Sequence, residues 1–213
     1  KMSIPIIVLG AGGHTKVLID SLLAADINVV GITSINSHDI NNKVYGINII
    51  GNDESISRYS PESIRLVNGI GSTGKIEKRQ RLFDYFKERG YSFASVIHPS
   101  AVISPDVQLN EGVQVMAGTV IQTGSKIKKN TIINTKVSVD HDCIICSHVH
   151  LAPGVTISGG VQVADDVLIG AGTTIIQGVR IGKKCSIGAG SLVLNNVKDG
   201  VTVFGVPARE VKR

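Results

Sequence analysis

From Val96 to Val197 the chain repeats a hydrophobic pattern every six residues without an insertion. Stepping by six from Ile97, the anchor positions are Ile97, Ile103, Leu109, Val115, Ile121, Ile127, Ile133, Val139, Ile145, Leu151, Ile157, Val163, Ile169, Ile175, Ile181, Ile187 and Val193, and all seventeen are Ile, Leu or Val. Four residues after an anchor comes a small or β-branched residue, such as Ala101, Val107, Val113, Thr119, Cys143, Val155 or Cys185. Three residues after it comes Gly at 112, 118, 124, 154, 160, 172, 178 and 190, or else Asp106, Asn130, Asp142, Asp166 or Asn196. Those residue types tolerate a positive φ, so this slot reads as a corner. A helix needs a period of 3.6 and a flat strand a period of 2, and neither fits six. The pattern predicts a left-handed parallel β-helix, in which each hexad is one short strand plus one corner and three hexads close a triangular coil. The seventeen hexads make between five and six coils. The open ends of such a rod are strand edges that need cover, and the expected covers are Lys198–Arg213 above and the N-terminal domain below.

Ahead of the rod the period changes. Ile4–Leu9 is a short β-rich run that ends in Gly10-Ala11-Gly12-Gly13-His14, and Lys16–Ala25 then places Val17, Leu18, Leu22 and Leu23 at helical spacing. Asn28–Ile32 and Leu66–Ile70 read as further strands, and Lys75–Arg89 as an amphipathic helix with Ile76, Leu82, Phe83 and Phe86 on one face. The expectation is a small Rossmann-like α/β domain with a parallel sheet. The predicted organisation is therefore residues 1–95 as an α/β domain, 96–197 as the β-helix and 198–213 as a C-terminal cap.

Composition narrows the function classes. A formal charge of +5 comes from basic residues scattered among acidic ones without an aromatic-rich stripe, which speaks against nucleic acid as a partner but leaves small phosphorylated ligands. No apolar run reaches the length of a membrane span, and Ile4–Leu9 is too short for the core of a secretory leader. Cys143 and Cys185 fall in the inward small-residue slot and Cys146 follows an anchor. They read as reduced packing cysteines of a cytoplasmic protein.

Two places carry chemistry. The glycine loop from Gly10 to His14 sits between a strand and a helix, where backbone N–H groups favour a diphosphate. It lacks the third glycine of the dinucleotide fingerprint, and no acidic residue ends the second strand. His14 contacts a ligand or caps the helix on this reading, and a ligand-free tight turn is the plain alternative. In the rod, His141 falls two residues after an anchor, at an outward corner. One coil of eighteen residues later comes Gly159 beside Gly160, and one coil earlier come Thr123 and Gly124. A solvent-facing imidazole beneath a bare glycine leaves room for a substrate, and histidine suits general-base work near neutral pH. Asp142 is either the partner of that base or a plain corner residue. His98, before Pro99, reads as structural.

The glycine loop, the rod segments Asn134-Thr135, Val139-Asp140-His141-Asp142-Cys143 and His148-Val149-His150-Leu151-Ala152-Pro153-Gly154, and the tail Val203-Phe204-Gly205-Val206-Pro207-Ala208-Arg209 resemble the bacterial nucleotide-sugar acetyltransferases. That group includes the UDP-4-amino-sugar N-acetyltransferases of bacillosamine synthesis, the perosamine N-acetyltransferases and the sialic acid O-acetyltransferase-like enzymes. The resemblance covers nearly the whole chain. It implies a homotrimer that uses acetyl-CoA as cosubstrate, with the nucleotide held by the N-terminal domain through Gly10, Gly12, Gly13 and His14, and with Asn134 at the substrate. His141 matches the catalytic base and Asp142 its acidic partner. His150 matches a histidine near the acetyl group, and Gly159 and Gly188 match backbone contacts to the coenzyme. Where many relatives carry acidic residues after the second strand, this chain has Thr33-Ser34-Ile35-Asn36.

The implied reaction is acetyl transfer to the 4-amino group of a nucleotide-linked 4-amino-4,6-dideoxy sugar, for surface glycan or glycoprotein synthesis, with no metal required. O-acetylation of a sugar hydroxyl on the same fold is the nearest rival. His141, His148 and His150 also invite a zinc enzyme resembling the γ-class carbonic anhydrases, and a non-catalytic nucleotide-sugar binder is a third possibility.

Overall fold

The computed structural model describes residues 4–40, 42–72 and 76–211. Lys75 of the expected second helix and the last two residues of the expected cap lie outside them. The chain divides into two compact units, one running to Pro99 and the other starting at Ser100.

The first unit is built on β1 (Ile6–Leu9), whose four residues are all buried. It is followed by α1 (Gly13–Ala24), β2 (Val29–Thr33), β3 (Lys43–Val44), β4 (Ile47–Gly51), β5 (Arg65–Asn68) and α2 (Ile76–Glu88). The strand order is β3-β4-β2-β1-β5. β1 runs parallel to β2 and β5, and β4 parallel to β2, whereas β3 pairs antiparallel with β4. The expected parallel sheet is present, and an antiparallel hairpin is added at its edge. That hairpin turns at Tyr45 and Gly46, both at positive φ (48° and 80°). A tyrosine in that conformation is uncommon, so the turn lacks the usual Asn-Gly or Asp-Gly signature. Ile7, Leu9 and Leu66 pack with Phe83 and Phe86 of α2 and with Tyr91 and Phe93 in one apolar cluster.

The second unit is the β-helix. Its two-residue strands recur every six residues, and each pairs in parallel with the strand eighteen residues away, as in Val120↔Ser138, Lys126↔Ile144 and Ile132↔His150. Three faces result. The first carries the strands that begin at Val102, Val120, Ser138, Thr156, Thr174 and Leu192, and the second those at Gln108, Lys126, Ile144, Gln162 and Arg180. The third carries those at Gln114, Ile132, His150, Leu168 and Ser186, to which Thr202–Phe204 is added. The anchors from Val115 to Val193 are buried and form one column with the second inward slot, which includes Val113, Val137, Cys143, Val155 and Cys185. Inward hydroxyls and a thiol are satisfied along the rod: Thr119, Ser125, Thr131 and Thr173 donate to the carbonyls of Asn134, Asp140, Cys146 and Gly188, and Cys143 to that of Ser158. Burial holds all three cysteine thiols above their ordinary pKa.

The corner slot behaves as a left-handed position for fourteen consecutive hexads, from Gly112 to Gly190. It includes Lys136, His148 and Lys184 (φ 58°, 60° and 55°), which residue-type reasoning does not assign to such a conformation. Asp106 and Asn196, in the same register, are not at positive φ. Their side chains accept backbone N–H groups instead, Asp106 from Gly124 and Asn196 from Arg180, each at 2.8 Å. Above the rod, Thr202–Phe204 extends the third face and Arg209–Glu210 folds back antiparallel upon it.

Candidate functional site

The glycine loop of the first unit leaves the C-terminal end of β1. Gly10 has φ 95°. Its N–H donates to Thr33 Oγ1 at 3.1 Å, and the Thr33 hydroxyl donates to Asp53 Oδ1 at 2.5 Å. Its carbonyl accepts from the buried Thr15 hydroxyl at 2.6 Å. The loop is therefore pinned from behind by β2 and α1. Gly12 is the N-cap of α1, with extended backbone, no side-chain capping bond and no acidic residue in the first turn. A side chain placed at Gly12 or Gly13 would begin with nothing within 4 Å. The positive end of the helix faces open space, which suits an anion.

His14 lies inside the first turn of α1, which starts at Gly13 and not at Lys16, so it does not cap the helix. The loop after β5 passes beside it, since a Cβ on Gly71 would lie 3.5 Å from His14 Cβ. That loop is held by Arg79, which is fully buried and whose guanidinium donates to the carbonyls of Asn68 (2.9 Å) and Ile70 (2.7 Å). Burial lowers its pKa to about 9. Neither Arg79 nor Asp53 is evident from local pattern, because each reaches the loop from another element.

In the rod, His141 and Asp142 share the corner between the first and second faces. Nδ1 of His141 lies 2.9 Å from Asp142 Oδ2, with the two side chains 50% and 72% exposed. The His141 N–H donates to Asp140 Oδ1 at 2.8 Å, which fixes the backbone of the corner. The hydrogen bond to Asp142 holds the His141 pKa above its ordinary value, and the charges of Asp140 and Asp142 add to this. With Nδ1–H given to the carboxylate, Nε2 is the basic atom. It lies across Gly159, where a Cβ would come within 2.5 Å of it.

His150 and Asn134 form a second pair, on the third face. His150 is 5% exposed, and Asn134 Nδ2 is 3.2 Å from its Nε2. Asn134 Oδ1 accepts the Thr135 N–H at 2.8 Å, so the amide nitrogen is the donor and His150 Nε2 the acceptor. Within one rod this face lies opposite the corner of His141, so the structure brings together His141, Asp142 and Gly159 but leaves His150 and Asn134 apart from them. His148 pairs with Asn130 (2.9 Å) at another corner. Among the described residues no three His, Cys, Asp or Glu side chains gather as a metal-binding group. Gly188 is packed under Phe204, whose Cβ would stand 2.5 Å from an added Cβ. Its N–H donates to Val203 O, and its carbonyl accepts the hydroxyls of Thr173 and Ser191.

Comparison with known proteins adds an independent line. Residues 5–86 match the family described as the PglD N-terminal domain, and residues 160–195 match the bacterial transferase hexapeptide (six repeats). A perosamine N-acetyltransferase variant from Caulobacter crescentus, solved with CoA and GDP-perosamine, is 36% identical over 100% of this chain and 99% of its own, with a TM-score of 0.91. The acetyltransferase domain of PglB from Neisseria gonorrhoeae, solved with acetyl coenzyme A, is 31% identical over 98% of this chain and 100% of its own (TM-score 0.91). WeeI from Acinetobacter baumannii is 25% identical over 98% and 100% (TM-score 0.87).

Proposed function

This chain belongs to the hexapeptide-repeat nucleotide-sugar acetyltransferases, and from that premise we propose that it transfers acetyl from acetyl-CoA to the 4-amino group of a nucleotide-linked 4-amino-4,6-dideoxy sugar, with His141 as the general base. The observation that carries the reading is the His141–Asp142 pair whose free ring nitrogen faces the bare α-carbon of Gly159. The Caulobacter relative points the same way. It was solved with CoA and GDP-perosamine in forms in which a histidine is replaced by Asn or Ala.

The chemistry follows from one base. Asp142 accepts the hydrogen bond from Nδ1–H of His141, sets the tautomer and leaves the Nε2 lone pair toward the substrate. His141 takes a proton from the attacking amine as its nitrogen adds to the thioester carbonyl. The tetrahedral intermediate collapses as the C–S bond breaks, and His141 returns the proton to the departing sulfur. The products are the acetamido sugar and coenzyme A, so atoms and charge balance without a metal. Gly10, Gly12, Gly13 and His14 hold the diphosphate of the sugar nucleotide at the N-terminus of α1.

His150 and Asn134 serve the same chemistry from another copy of the chain. They lie on the face opposite His141, so a site that uses both sets is shared between neighbouring rods, and a three-fold trimer is the smallest closed ring with equivalent sites. Among the described residues no helix is long and apolar enough to cross a membrane. The test is direct. Purified protein is given acetyl-CoA with GDP-, UDP- or dTDP-linked 4-amino sugars, free thiol is measured, and the product is weighed by mass spectrometry. A gain of one acetyl group with stoichiometric thiol supports the reading; thiol release dependent on a hydroxyl sugar that lacks the amine overturns it in favour of O-acetylation.

A further inference from the structure

Beneath the His141–Asp142 pair, one coil earlier, the rod makes a corner at Thr123 and Gly124 that the chemistry above does not use. Asp142 rests on this corner twice. Its N–H donates to the Thr123 carbonyl at 3.0 Å. Its carboxylate lies over Gly124, where a Cβ would fall well inside contact distance of Asp142 Oδ1. The corner is held in turn by Asp106, one further coil down. Asp106 Oδ2 accepts the Gly124 N–H and the Thr123 hydroxyl, each at 2.8 Å, and these bonds keep the Asp106 pKa below the ordinary carboxylate value.

We infer that Gly124 and Asp106 are positioning residues for the base: the missing side chain at Gly124 makes room for the Asp142 carboxylate to turn back onto His141 Nδ1, and Asp106 fixes the corner on which it rests. The inference rests on the assignment of His141 as base.

Backbone conformation alone does not explain glycine at 124. The same slot is filled at similar φ by Asn130, Lys136, Asp142, His148, Asp166 and Lys184 (55° to 61°). This fold therefore accepts side chains at its left-handed corners. What separates Gly124 from an open corner such as Gly172, at φ 67° with nothing within 4 Å, is the carboxylate that a Cβ would displace. The displaced atom is the end of an exposed side chain, so the carboxylate swings away and the coil survives. The cost falls on His141, which loses its partner on Nδ1. Gly159 closes the other side of the same ring, so two glycines, each one coil removed, frame the pair. The charged groups near the ring are Asp140 and Asp142, and only Asp142 moves.

The experiment compares Gly124→Ala, Asp106→Ala and Asp106→Asn with the parent, with Gly172→Ala as the measure of what a methyl at a left-handed corner does to Tm. The expected result for Gly124→Ala is a fall in kcat of about 10-fold or more, with KM for acetyl-CoA kept and a Tm loss no larger than that of Gly172→Ala. The His141 ring, identified by its loss in His141→Ala and titrated by NMR, should show a lower pKa. Asp106→Ala should shift both readings in the same direction by less, and Asp106→Asn, which keeps an acceptor, should restore them. An unchanged His141 titration in Gly124→Ala overturns the inference, as does a Tm loss beyond the control that accounts for the activity. If His141→Ala retains parental turnover while Gly124→Ala still lowers the His141 pKa, the positioning stands and the base assignment falls.

Discussion

Nδ1 of His141 sits 2.9 Å from Oδ2 of Asp142, although the two residues are adjacent in sequence. Side chains of consecutive residues ordinarily diverge; here Asp142 is at φ 56°, which turns its carboxylate back toward the ring that precedes it. The pairing favours the imidazolium, so the His141 pKa is raised. A general base works only when neutral, so a raised pKa moves the acidic limb of the rate profile to higher pH. Asp142→Asn should therefore lower the midpoint of that limb in kcat/KM, while reducing the plateau. A midpoint unchanged between the two enzymes would separate Asp142 from the base.

His141→Ala removes the proposed proton acceptor and little else, because the ring is half exposed and its backbone bonds stay in place. Turnover should fall by about 10²–10⁴-fold. Circular dichroism and the native mass should match the parent. Parental rates in this variant would exclude it as the base.

Gly12→Leu tests the proposed diphosphate site. The position has no neighbour within 4 Å of an added Cβ and its φ is −81°, so the fold should tolerate the change with an unaltered Tm. A side chain there projects over the helix N-terminus assigned to the diphosphate. KM for the sugar nucleotide should rise by about 10-fold or more, equivalent to about 1.4 kcal/mol of binding, while acetyl-CoA binding measured by calorimetry stays put. Loss of acetyl-CoA binding alone would reassign the loop.

The rod and the His141 corner were legible because the hexapeptide repeat converts sequence separation directly into space. Eighteen residues are one coil, so Gly159 above His141 and Gly124 below Asp142 follow from counting. Counting also reaches the opposition of His141 and His150, nine residues apart. The first unit offers no such ruler. Its β3–β4 hairpin is short and turns at Tyr45, and the carboxylate near the end of β2 comes from Asp53, twenty residues beyond Thr33. No acid is evident at that strand end from the sequence, because Asp53 lies outside β2 and reaches Thr33 only in the fold. Gly188 shows the opposite limit: its place in the repeat is clear, yet the Phe204 that covers it belongs to the non-repeating tail.

The corner slot also makes a stability prediction. Lys184 holds φ 55° on an exposed side chain, and no feature of the proposed site involves it. Asparagine tolerates the left-handed region better than lysine does and, unlike glycine, adds little freedom to the unfolded chain. Lys184→Asn should raise stability by about 0.5–1 kcal/mol, read as a higher Tm with unchanged kinetics. A lower Tm would show that the lysine stem contributes more by packing than its backbone loses.

A site that uses both His141 and His150 has to be built between copies of the chain. His141 stands at the corner between the first and second faces, and His150 lies in the strand His150–Leu151 of the third face, opposite that corner. A rod has a packed core of anchors between them, so one chain cannot place both histidines on one substrate. If both act, each site takes His141 from one copy and His150 from its neighbour. Chains carrying His141→Ala and His150→Ala, each inactive alone and each folded by circular dichroism, should then complement one another. In a trimer of mixed composition at least one interface can hold an intact His141 facing an intact His150. Co-expression with two different tags and tandem purification isolates the mixed species, and native mass spectrometry counts its chains. Activity in the mixed trimers at up to about one third of the parental value per trimer follows from one intact site in three. Mixed trimers that stay inactive would show that the two histidines do not share a site, and would return His150 to a purely structural pairing with Asn134.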